Sequence, residues 1–393
     1  MIYKDFKGLK LPALGFGCMR LPKDEQTGKI DREKTEEMIA YAFKNGINYF
    51  DTSFFYHAGE SEKVVGEILA NYPRDTWFLA DKLPGNCIEI VDGKIVMDIE
   101  WAGMGNKTFE DTAELFQYQL DRCGVDYFDF YLLHNLTEST FDLYADEEVG
   151  IVKYLVEQKK AGRIKHLGFS AHGRYQTIDK FLSTFDCFEF VLLQLNYLDW
   201  SLQEAGKKYD VITKHGIPVF VMEPVRGGLL VAPGEEAEAV LKAANPNETP
   251  ASWAFRFLQA LPNVCVVVSG MTTMGQLVEN TETFSKIDPL NESEKAVLQQ
   301  IVDNMASFVP CTTCLYCVDA CPQKLDIPTF IALYNEASNK YSWMVDDVID
   351  TLDDDKKPQA CTGCGACNPL CPQNIDIPDT IAKLCKLVAD NAS

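Results

Sequence analysis

Short runs of apolar and β-branched residues alternate with helical patterns along the first three quarters of the chain. Eight such runs are of strand length, at residues 13–18, 48–51, 78–82, 128–134, 166–170, 190–195, 218–223 and 264–269. Between the runs, apolar residues recur at three- and four-residue steps, which is the period of an amphipathic helix. Eight strands alternating with helices predict a fold of the α/β class, a (β/α)8 TIM barrel.

Several helix ends can be placed from their capping residues. Asp31 begins a helix that Asn45 and Gly46 end, and Thr108 is the expected cap of a second helix that ends at Gly124. Farther along, Asn291 together with Glu294 has the spacing of a capping box. We therefore expect a barrel over residues 1–285, a linker helix over 286–310 and a separate C-terminal domain over 311–393.

The segment at residues 83–108 fits two structures. It is rich in glycine and apolar residues, so it could be a substrate lid that carries Trp101 and Met104. A surface hairpin through residues 88–96, turning at Asp92 and Gly93, fits equally well.

Polar residues stand at or next to the C-terminal ends of seven predicted strands. They are Asp51, Lys82, His134, Ser170, Gln194, Glu223 and Ser269. In a barrel these ends converge on one mouth, where such enzymes keep their catalytic groups. Contact with solvent alone would explain any single polar strand end. The convergence of Asp, Lys and His near a tyrosine favours a catalytic site.

Eight of the 14 cysteines form two runs of the pattern Cys-x-x-Cys-x-x-Cys-x-x-x-Cys-Pro, offset by 50 residues. The runs are Cys311, Cys314, Cys317 and Cys321, then Cys361, Cys364, Cys367 and Cys371. In this pattern three thiolates bind one 4Fe-4S cluster and the fourth reaches the neighbouring cluster. The pattern predicts one cluster on Cys311, Cys314, Cys317 and Cys371, and a second on Cys361, Cys364, Cys367 and Cys321. Structural zinc sites are the alternative, although they usually show two separated Cys-x-x-Cys pairs.

Composition narrows the possible partners and location. The 393 residues include 58 Asp and Glu against 36 Lys and Arg, which gives a net charge of -22. This charge disfavours binding to nucleic acid or to anionic membranes. Apolar runs are too short to span a bilayer. The N-terminal lysines and the apolar stretch at residues 11–19 loosely resemble an export signal, but Pro12, Gly15 and Gly17 interrupt the stretch, so we do not expect export. We expect a cytoplasmic protein with reduced thiols. An acidic group at residues 346–355 could bind a basic redox partner or simply be a solvated surface.

Four of the mouth residues resemble the catalytic tetrad of the aldo/keto reductase family. Asp51 within Phe50-Asp51-Thr52-Ser53, Tyr56, Lys82, and His134 after Leu132-Leu133 match its order. Further matching fragments are Gly15-Phe16-Gly17, Gly168-Phe169-Ser170, Gln194-Leu195-Asn196-Tyr197 and Glu279-Asn280. The whole chain resembles the subgroup that carries a small, mainly helical, ferredoxin-like C-terminal domain with two 4Fe-4S clusters.

The resemblance implies a role for each tetrad residue. Tyr56 would protonate the oxygen of a carbonyl substrate, and Lys82 would lower the pKa of that phenol because a nearby cation favours the anion. Asp51 would hold Lys82 in place, and His134 would align the substrate oxygen.

The resemblance also implies a nicotinamide dinucleotide across the mouth. Ser170 and Gln194 would hold the carboxamide, the Arg226-Gly227-Gly228-Leu229 loop the pyrophosphate, and Glu279 and Asn280 the adenine. The remaining expected contacts are Gly17, Cys18, Met19, Asp51, Met222, Glu223, Ser269, Gly270 and Met271. The basic residues that bind a 2'-phosphate in the family align with Gly270 and Gln276, so NADP and NAD both stay open.

The leading functional hypothesis is therefore a reductase of small carbonyl compounds that uses NAD(P)H and carries two clusters for electron transfer. Because hydride carries two electrons and a cluster accepts one, a bound flavin or a protein redox partner is expected if the two centres communicate. The alternative is an electron-transfer protein or redox-sensing subunit whose barrel binds nucleotide or flavin without carbonyl turnover. Substrate identity and oligomeric state stay open.

Overall fold

A computed structural model describes residues 1–97, 99–100, 103–305, 309, 311, 316–339, 341–371, 373 and 375–391. Its strands are β1 (Tyr3–Phe6), β2 (Leu9–Pro12), β3 (Leu14–Gly17), β4 (Tyr49–Asp51), β5 (Phe78–Leu83), β6 (Ile88–Val91), β7 (Lys94–Met97), β8 (Lys107–Phe109), β9 (Phe128–Leu136), β10 (Ile164–Ala171), β11 (Phe190–Gln194), β12 (Val219–Met222) and β13 (Val264–Gly270). Its α-helices are α1 (Arg32–Lys44), α2 (Glu60–Leu69), α3 (Thr112–Cys123), α4 (Phe141–Ala145), α5 (Ile151–Lys160), α6 (Tyr175–Thr184), α7 (Asp199–Leu202), α8 (Ala205–Lys214), α9 (Glu235–Ala244), α10 (Pro250–Gln259), α11 (Met274–Thr283), α12 (Glu292–Met305), α13 (Tyr316–Ala320), α14 (Ile327–Asn339), α15 (Trp343–Asp350) and α16 (Ile377–Asn391).

The predicted TIM barrel is confirmed. Strands β3, β4, β5, β9, β10, β11, β12 and β13 close into one parallel barrel, and each covers most or all of a predicted run. Their carboxyl ends therefore open on one mouth, as the sequence pattern predicts.

The opposite end of the barrel is sealed by apolar residues. The antiparallel β1–β2 hairpin places the buried Phe6 ring 5.6 Å from Phe130 and 5.4 Å from Phe220, measured between ring centroids. These rings fill the barrel interior with apolar surface, which leaves the mouth as the polar end.

The helix predicted from Thr108 begins later than expected. Asp111 caps α3 by accepting a hydrogen bond from the Glu114 amide at 2.9 Å, whereas Thr108 lies in β8 and pairs with Val96. Asp111 is the stronger cap because its extended backbone directs the carboxylate at the first helical turn. The other predicted helix starts, at Asp31 and Asn291, are correct.

The hairpin alternative for the segment after β5 is the one observed. Strands β6 and β7 are antiparallel, and their turn holds Asp92 and Gly93 at φ of 52° and 76°. Strand β8 adds to the same sheet. Of the two residues proposed for a lid, Met104 is half-buried and Trp101 lies outside the described residues.

The C-terminal region is mainly helical and shows the internal duplication as structure. Helices α14 and α16 begin at Ile327 and Ile377, two positions separated by the repeat offset, and they pack against each other. Buried Phe330, Ile381 and Leu384 form part of their shared core. Upstream, α12 packs on the barrel, where Glu294 accepts two hydrogen bonds from Arg256 at 2.8 and 2.9 Å.

Polar and aromatic contacts join the C-terminal helices to the mouth end of the barrel. They are Ser139 with Asp347 (2.5 Å), Arg174 with Asp326 (3.0 Å), Gln203 with Glu336 (3.1 Å) and His172 with Trp343 (5.5 Å between ring centroids).

Within the described ranges, we find no helix that combines the length and apolarity needed to cross a membrane.

Candidate active site and cluster ligands

A buried ion pair lies at the centre of the mouth. Lys82, on β5, places its Nζ 2.7 Å from Asp51 Oδ1 on neighbouring β4 and 2.6 Å from the Thr52 carbonyl oxygen. The side chains of Lys82 and Asp51 are 1% and 5% exposed. Burial alone would lower the pKa of Lys82, but the charge and hydrogen bond of Asp51, together with Tyr56 and Asp81, raise it overall. Lys82 is therefore a fixed cation.

Tyr56 lies in the loop after β4, over this cation. The Lys82 ammonium is 5.0 Å from the centre of the Tyr56 ring. Burial raises the pKa of Tyr56 to about 12, although the charge of Lys82 and a hydrogen bond from it act in the opposite direction. Lys82 thus lowers the pKa as expected, but the expectation of a net lowering is wrong. Burial removes the water that would solvate a phenolate, and this destabilises the anion more than the partly neutralised charge of Lys82 stabilises it.

The fourth residue at this site, beside Asp51, Tyr56 and Lys82, is His134 on β9. Its ring lies 6.4 Å from the Tyr56 ring and stacks on Phe55 at 5.1 Å, measured between centroids. Its Nδ1 is 3.2 Å from Ser53 Oγ. Burial, followed by the charge of Lys82, lowers the pKa of His134 well below its ordinary value. The imidazole is therefore neutral at physiological pH and can direct a single hydrogen bond to a ligand oxygen.

Behind Lys82 lies a second polar cluster that sequence reasoning missed. Gln119 on α3 donates to Glu62 Oε1 at 3.1 Å, to Asp81 Oδ2 at 3.1 Å and to the Lys82 carbonyl oxygen at 3.0 Å. Arg122 donates to Glu62 Oε2 at 2.6 Å. Charged residues at positions that the apolar pattern marks as buried, such as Asp81 inside β5, were the signal that could have found this cluster.

The expected dinucleotide contacts surround the mouth, with differing exposure. Buried ones are Gly17, Cys18, Asp51, Ser170, Gln194, Ser269, Met271 and Asn280; half-buried ones are Met222, Glu223, Arg226, Leu229 and Glu279; exposed ones are Met19, Gly227, Gly228 and Gly270. Asn280 donates to Ser269 Oγ at 3.3 Å, and Gly17 pairs with Gly270 between adjacent strands. Glu279 accepts a hydrogen bond from Thr249. Gly17, Ser269, Gly270, Glu279 and Asn280 lie on one side of the mouth. Ser170, whose Oγ accepts a hydrogen bond from the Asn135 amide at 2.7 Å, lies on the other side.

Two arginines lie beside the expected pyrophosphate loop. Arg226 begins the turn Arg226–Gly228, and its side chain points toward the C-terminal helices, where it pairs with Glu336. Arg20 was not predicted. A Cβ added to Gly227 would lie 3.3 Å from its Nη2, and one added to Gly270 would lie 3.3 Å from its side-chain carbons. The Arg20 side chain therefore extends from the turn after β3, past Gly270 at the end of β13, to the loop after β12.

Four cysteines of the repeated motif line one cavity in the C-terminal region. The cavity is bordered by Cys321, Cys361, Cys364 and Cys367, together with apolar side chains that include Leu325, Ile327 and Ile381. This set combines the last cysteine of the first run with the first three of the second. Four cysteines that border one cavity with partly apolar walls fit the ligand set of a 4Fe-4S cluster.

The other four motif cysteines are less completely described. Cys317 is buried and Cys311 and Cys371 are half-buried, whereas Cys314 lies outside the described residues. The assignment of these four to a cluster stays a prediction.

Comparison with known proteins agrees with this arrangement. The profile of the Aldo/keto reductase family matches residues 13–303. The chain belongs to the aldo/keto reductase family. A second profile, described as a 4Fe-4S dicluster domain, matches residues 310–376. This aldo/keto reductase is therefore an oxidoreductase that carries an iron-sulfur domain, in a family that acts on small carbonyl compounds.

Individual relatives of this aldo/keto reductase match it over different lengths. The "Probable aldo-keto reductase 1" of Glycine max is 32% identical over 170 residues, 42% of this chain and 42% of that protein. The "NADH-specific methylglyoxal reductase" of Escherichia coli is 26% identical over 209 residues, 52% of this chain and 60% of that protein. The holo structure of aldo-keto reductase AKR11C1 from Bacillus halodurans superimposes with a TM-score of 0.59 at 25% identity, covering 77% of this chain and 96% of the other.

Proposed function

We propose that this aldo/keto reductase reduces a small carbonyl compound with NADH or NADPH and carries two 4Fe-4S clusters for electron transfer. One observation supports it most. Asp51, Tyr56, Lys82 and His134 come from three barrel strands and the loop after the first of them and meet at the mouth, with Lys82 2.7 Å from Asp51 and 5.0 Å from the Tyr56 ring centre.

The roles follow from the charge state of each group. A bound nicotinamide supplies hydride to the carbonyl carbon. Tyr56, protonated because burial raises its pKa, gives its proton to the carbonyl oxygen. Lys82 then stabilises the phenolate that remains, and Asp51 keeps Lys82 charged and in position. His134, held through Ser53, directs the carbonyl oxygen toward the Tyr56 hydroxyl.

The clusters have ligands in the C-terminal region. Cys321, Cys361, Cys364 and Cys367 would hold one cluster, and Cys311, Cys314, Cys317 and Cys371 the other. A 4Fe-4S cluster supplies transfer of single electrons. The chain would hold each cluster through thiolates from both motifs, so each site needs residues of both runs.

A second function is favoured by the pairing of Arg226 with Glu336. Because a carboxylate contacts the guanidinium expected to bind pyrophosphate, the barrel could instead serve a flavin or nucleotide without carbonyl turnover. In that case the chain would be an electron-transfer protein or a redox-sensing subunit.

Anaerobic kinetics separate the two functions. Purified holoprotein is mixed with NADH or NADPH and a panel of small aldehydes and ketones that begins with methylglyoxal. We expect nicotinamide oxidation that depends on the carbonyl and that Tyr56→Phe abolishes. Cluster reduction seen by EPR, without carbonyl dependence and unaffected by Tyr56→Phe, would instead establish the second function.

A further inference from the structure

The loop after β12 has the shape of an anion site. The turn Arg226–Gly228 holds Arg226 at a φ of 47°, and the two glycines have φ values of 62° and 98°. Both glycines are exposed, and nothing lies within 4 Å of a Cβ built on Gly228. Open backbone of this kind lets amide groups approach a phosphate closely.

The cation of that loop is already paired with two carboxylates. Arg226 Nη2 donates to both Glu336 oxygens, at 2.7 and 2.8 Å, and its Nε lies 3.0 Å from Asp199 Oδ1. The three side chains are 10%, 8% and 0% exposed, in the order Arg226, Glu336 and Asp199. Two negative charges thus contact one positive charge, with little water to screen them.

The two carboxylates come from different parts of the molecule. Asp199 belongs to the barrel and is fixed by hydrogen bonds from Gln194 at 3.0 Å and Asn196 at 2.6 Å. Glu336 is carried by α14 of the C-terminal region and also accepts from Gln203 at 3.1 Å. The C-terminal region therefore places a charge against a loop of the barrel mouth.

We infer that Glu336 lowers the affinity of this phosphate site: by pairing with Arg226 it weakens the binding of phosphate-bearing ligands at the turn Arg226–Gly228. The inference rests on the proposed function only in taking the ligand to be a dinucleotide. Binding free energies are reciprocal, so an anion that engages Arg226 also weakens the attachment of α14 to the barrel.

The test compares Glu336→Gln with Asp326→Asn in full-length holoprotein under anaerobic conditions. Glutamine keeps the size and one acceptor oxygen of Glu336 but removes the charge. Asp326→Asn is the matched control, because it neutralises an interdomain ion pair, with Arg174 at 3.0 Å, that does not involve Arg226. Iron content and circular dichroism check that each variant is folded and loaded.

Dissociation constants are measured for NADPH, NADH and inorganic pyrophosphate at one fixed salt concentration. We expect Glu336→Gln to bind pyrophosphate and the dinucleotides about fivefold more tightly or better, and Asp326→Asn to match wild type. Unchanged or weaker binding in Glu336→Gln, or no binding to any of the proteins, would overturn the inference. Pyrophosphate distinguishes failure of this inference from failure of the proposed function. If Glu336→Gln lowers the dissociation constant of pyrophosphate but no protein binds a dinucleotide, the proposed function is contradicted and this inference is supported.

A second measurement uses the wild-type protein alone. Saturating pyrophosphate should speed hydrogen exchange of the α14 amides, because the Glu336 contact is lost when Arg226 turns to the anion. Exchange that slows or stays constant would show that the anion and Glu336 do not compete.

Discussion

The phenol of Tyr56 is held protonated by its surroundings. Its pKa is raised to about 12, chiefly by burial, while Lys82 opposes the rise. A group that acts as an acid must be protonated, so a raised pKa extends the working range toward alkaline pH. A raised pKa therefore suits the role of proton donor that we propose for Tyr56.

This charge state predicts the pH dependence of the reaction. The kcat for carbonyl reduction should stay flat from neutral pH to about pH 10, because Tyr56 remains protonated throughout. Oxidation of the alcohol product needs the phenolate, so its rate should rise with pH across the same range. Initial rates in both directions check this, and a fall in the reduction rate near neutral pH would contradict it.

Lys82 and Asp51 form a buried ion pair whose two members should depend on each other for stability. Lys82→Met should leave the Asp51 carboxylate buried without its cation and lower the free energy of unfolding by about 3–5 kcal/mol. The double variant Lys82→Met with Asp51→Leu should recover most of that loss, yet remain inactive. Denaturant titration of both variants tests the coupling, and equal stability of the single and double variants would refute it.

At the scale of elements, the helix pair α2 and α3 is joined by a buried ion pair. Glu62 has a fully buried side chain, and Arg122, 23% exposed, contacts it at 2.6 Å. Arg122→Met should reduce the free energy of unfolding by about 3 kcal/mol, since it strands a buried carboxylate.

Arg32 provides the matched control for this prediction. It pairs on the surface with Glu36 at 3.1 Å and also with Glu67, and the three side chains are 46%, 46% and 44% exposed, in the order Arg32, Glu36 and Glu67. Arg32→Met should change the free energy of unfolding by less than about 1 kcal/mol. Equal losses in the two variants, measured by the same denaturant titration, would show that burial does not set the strength of the α2–α3 pair.

The strands of the barrel were predictable because each is a short apolar run, and seven of the eight runs carry a polar residue at or next to the carboxyl end. Asp51 and Lys82 follow this rule, so their proximity could be foreseen. The start of α3 was misplaced because Thr108 and Asp111 are both good caps, and pairing of Thr108 with Val96 decides between them. Such pairing depends on a sheet whose other strands lie earlier in the chain.

Contacts between distant segments account for most of what the sequence did not predict. Gln119 on α3 donates hydrogen bonds to Asp81 on β5 and to Glu62 on α2. Arg226 contacts Glu336, which lies 110 positions later in the chain. Neither pattern nor spacing predicts which acidic residue will approach a given arginine. Assigning Arg226 a phosphate ligand followed from the resemblance and stays a prediction.

At the scale of the whole molecule, the proposed cluster ligands cross between the two motifs. Cys321→Ala and Cys364→Ala lie in different runs but border one cavity, so each should abolish the same cluster. EPR of the reduced proteins should show the same signal lost in both variants. Cys187→Ala, a half-buried cysteine outside the motif, should keep the wild-type iron content and spectrum. Loss of different signals in the two motif variants would contradict the crossed arrangement.

The most direct test of the central claim is the rate of carbonyl reduction in Tyr56→Phe compared with Tyr72→Phe, measured at saturating NAD(P)H. Tyr72 stacks on Phe43 at 4.1 Å, away from the mouth, so the control removes a phenol hydroxyl without touching the proposed acid. The account predicts that Tyr56→Phe lowers kcat by a factor of about 10² or more, while Tyr72→Phe retains wild-type turnover. Equal turnover in the two variants would show that Tyr56 is not the proton donor.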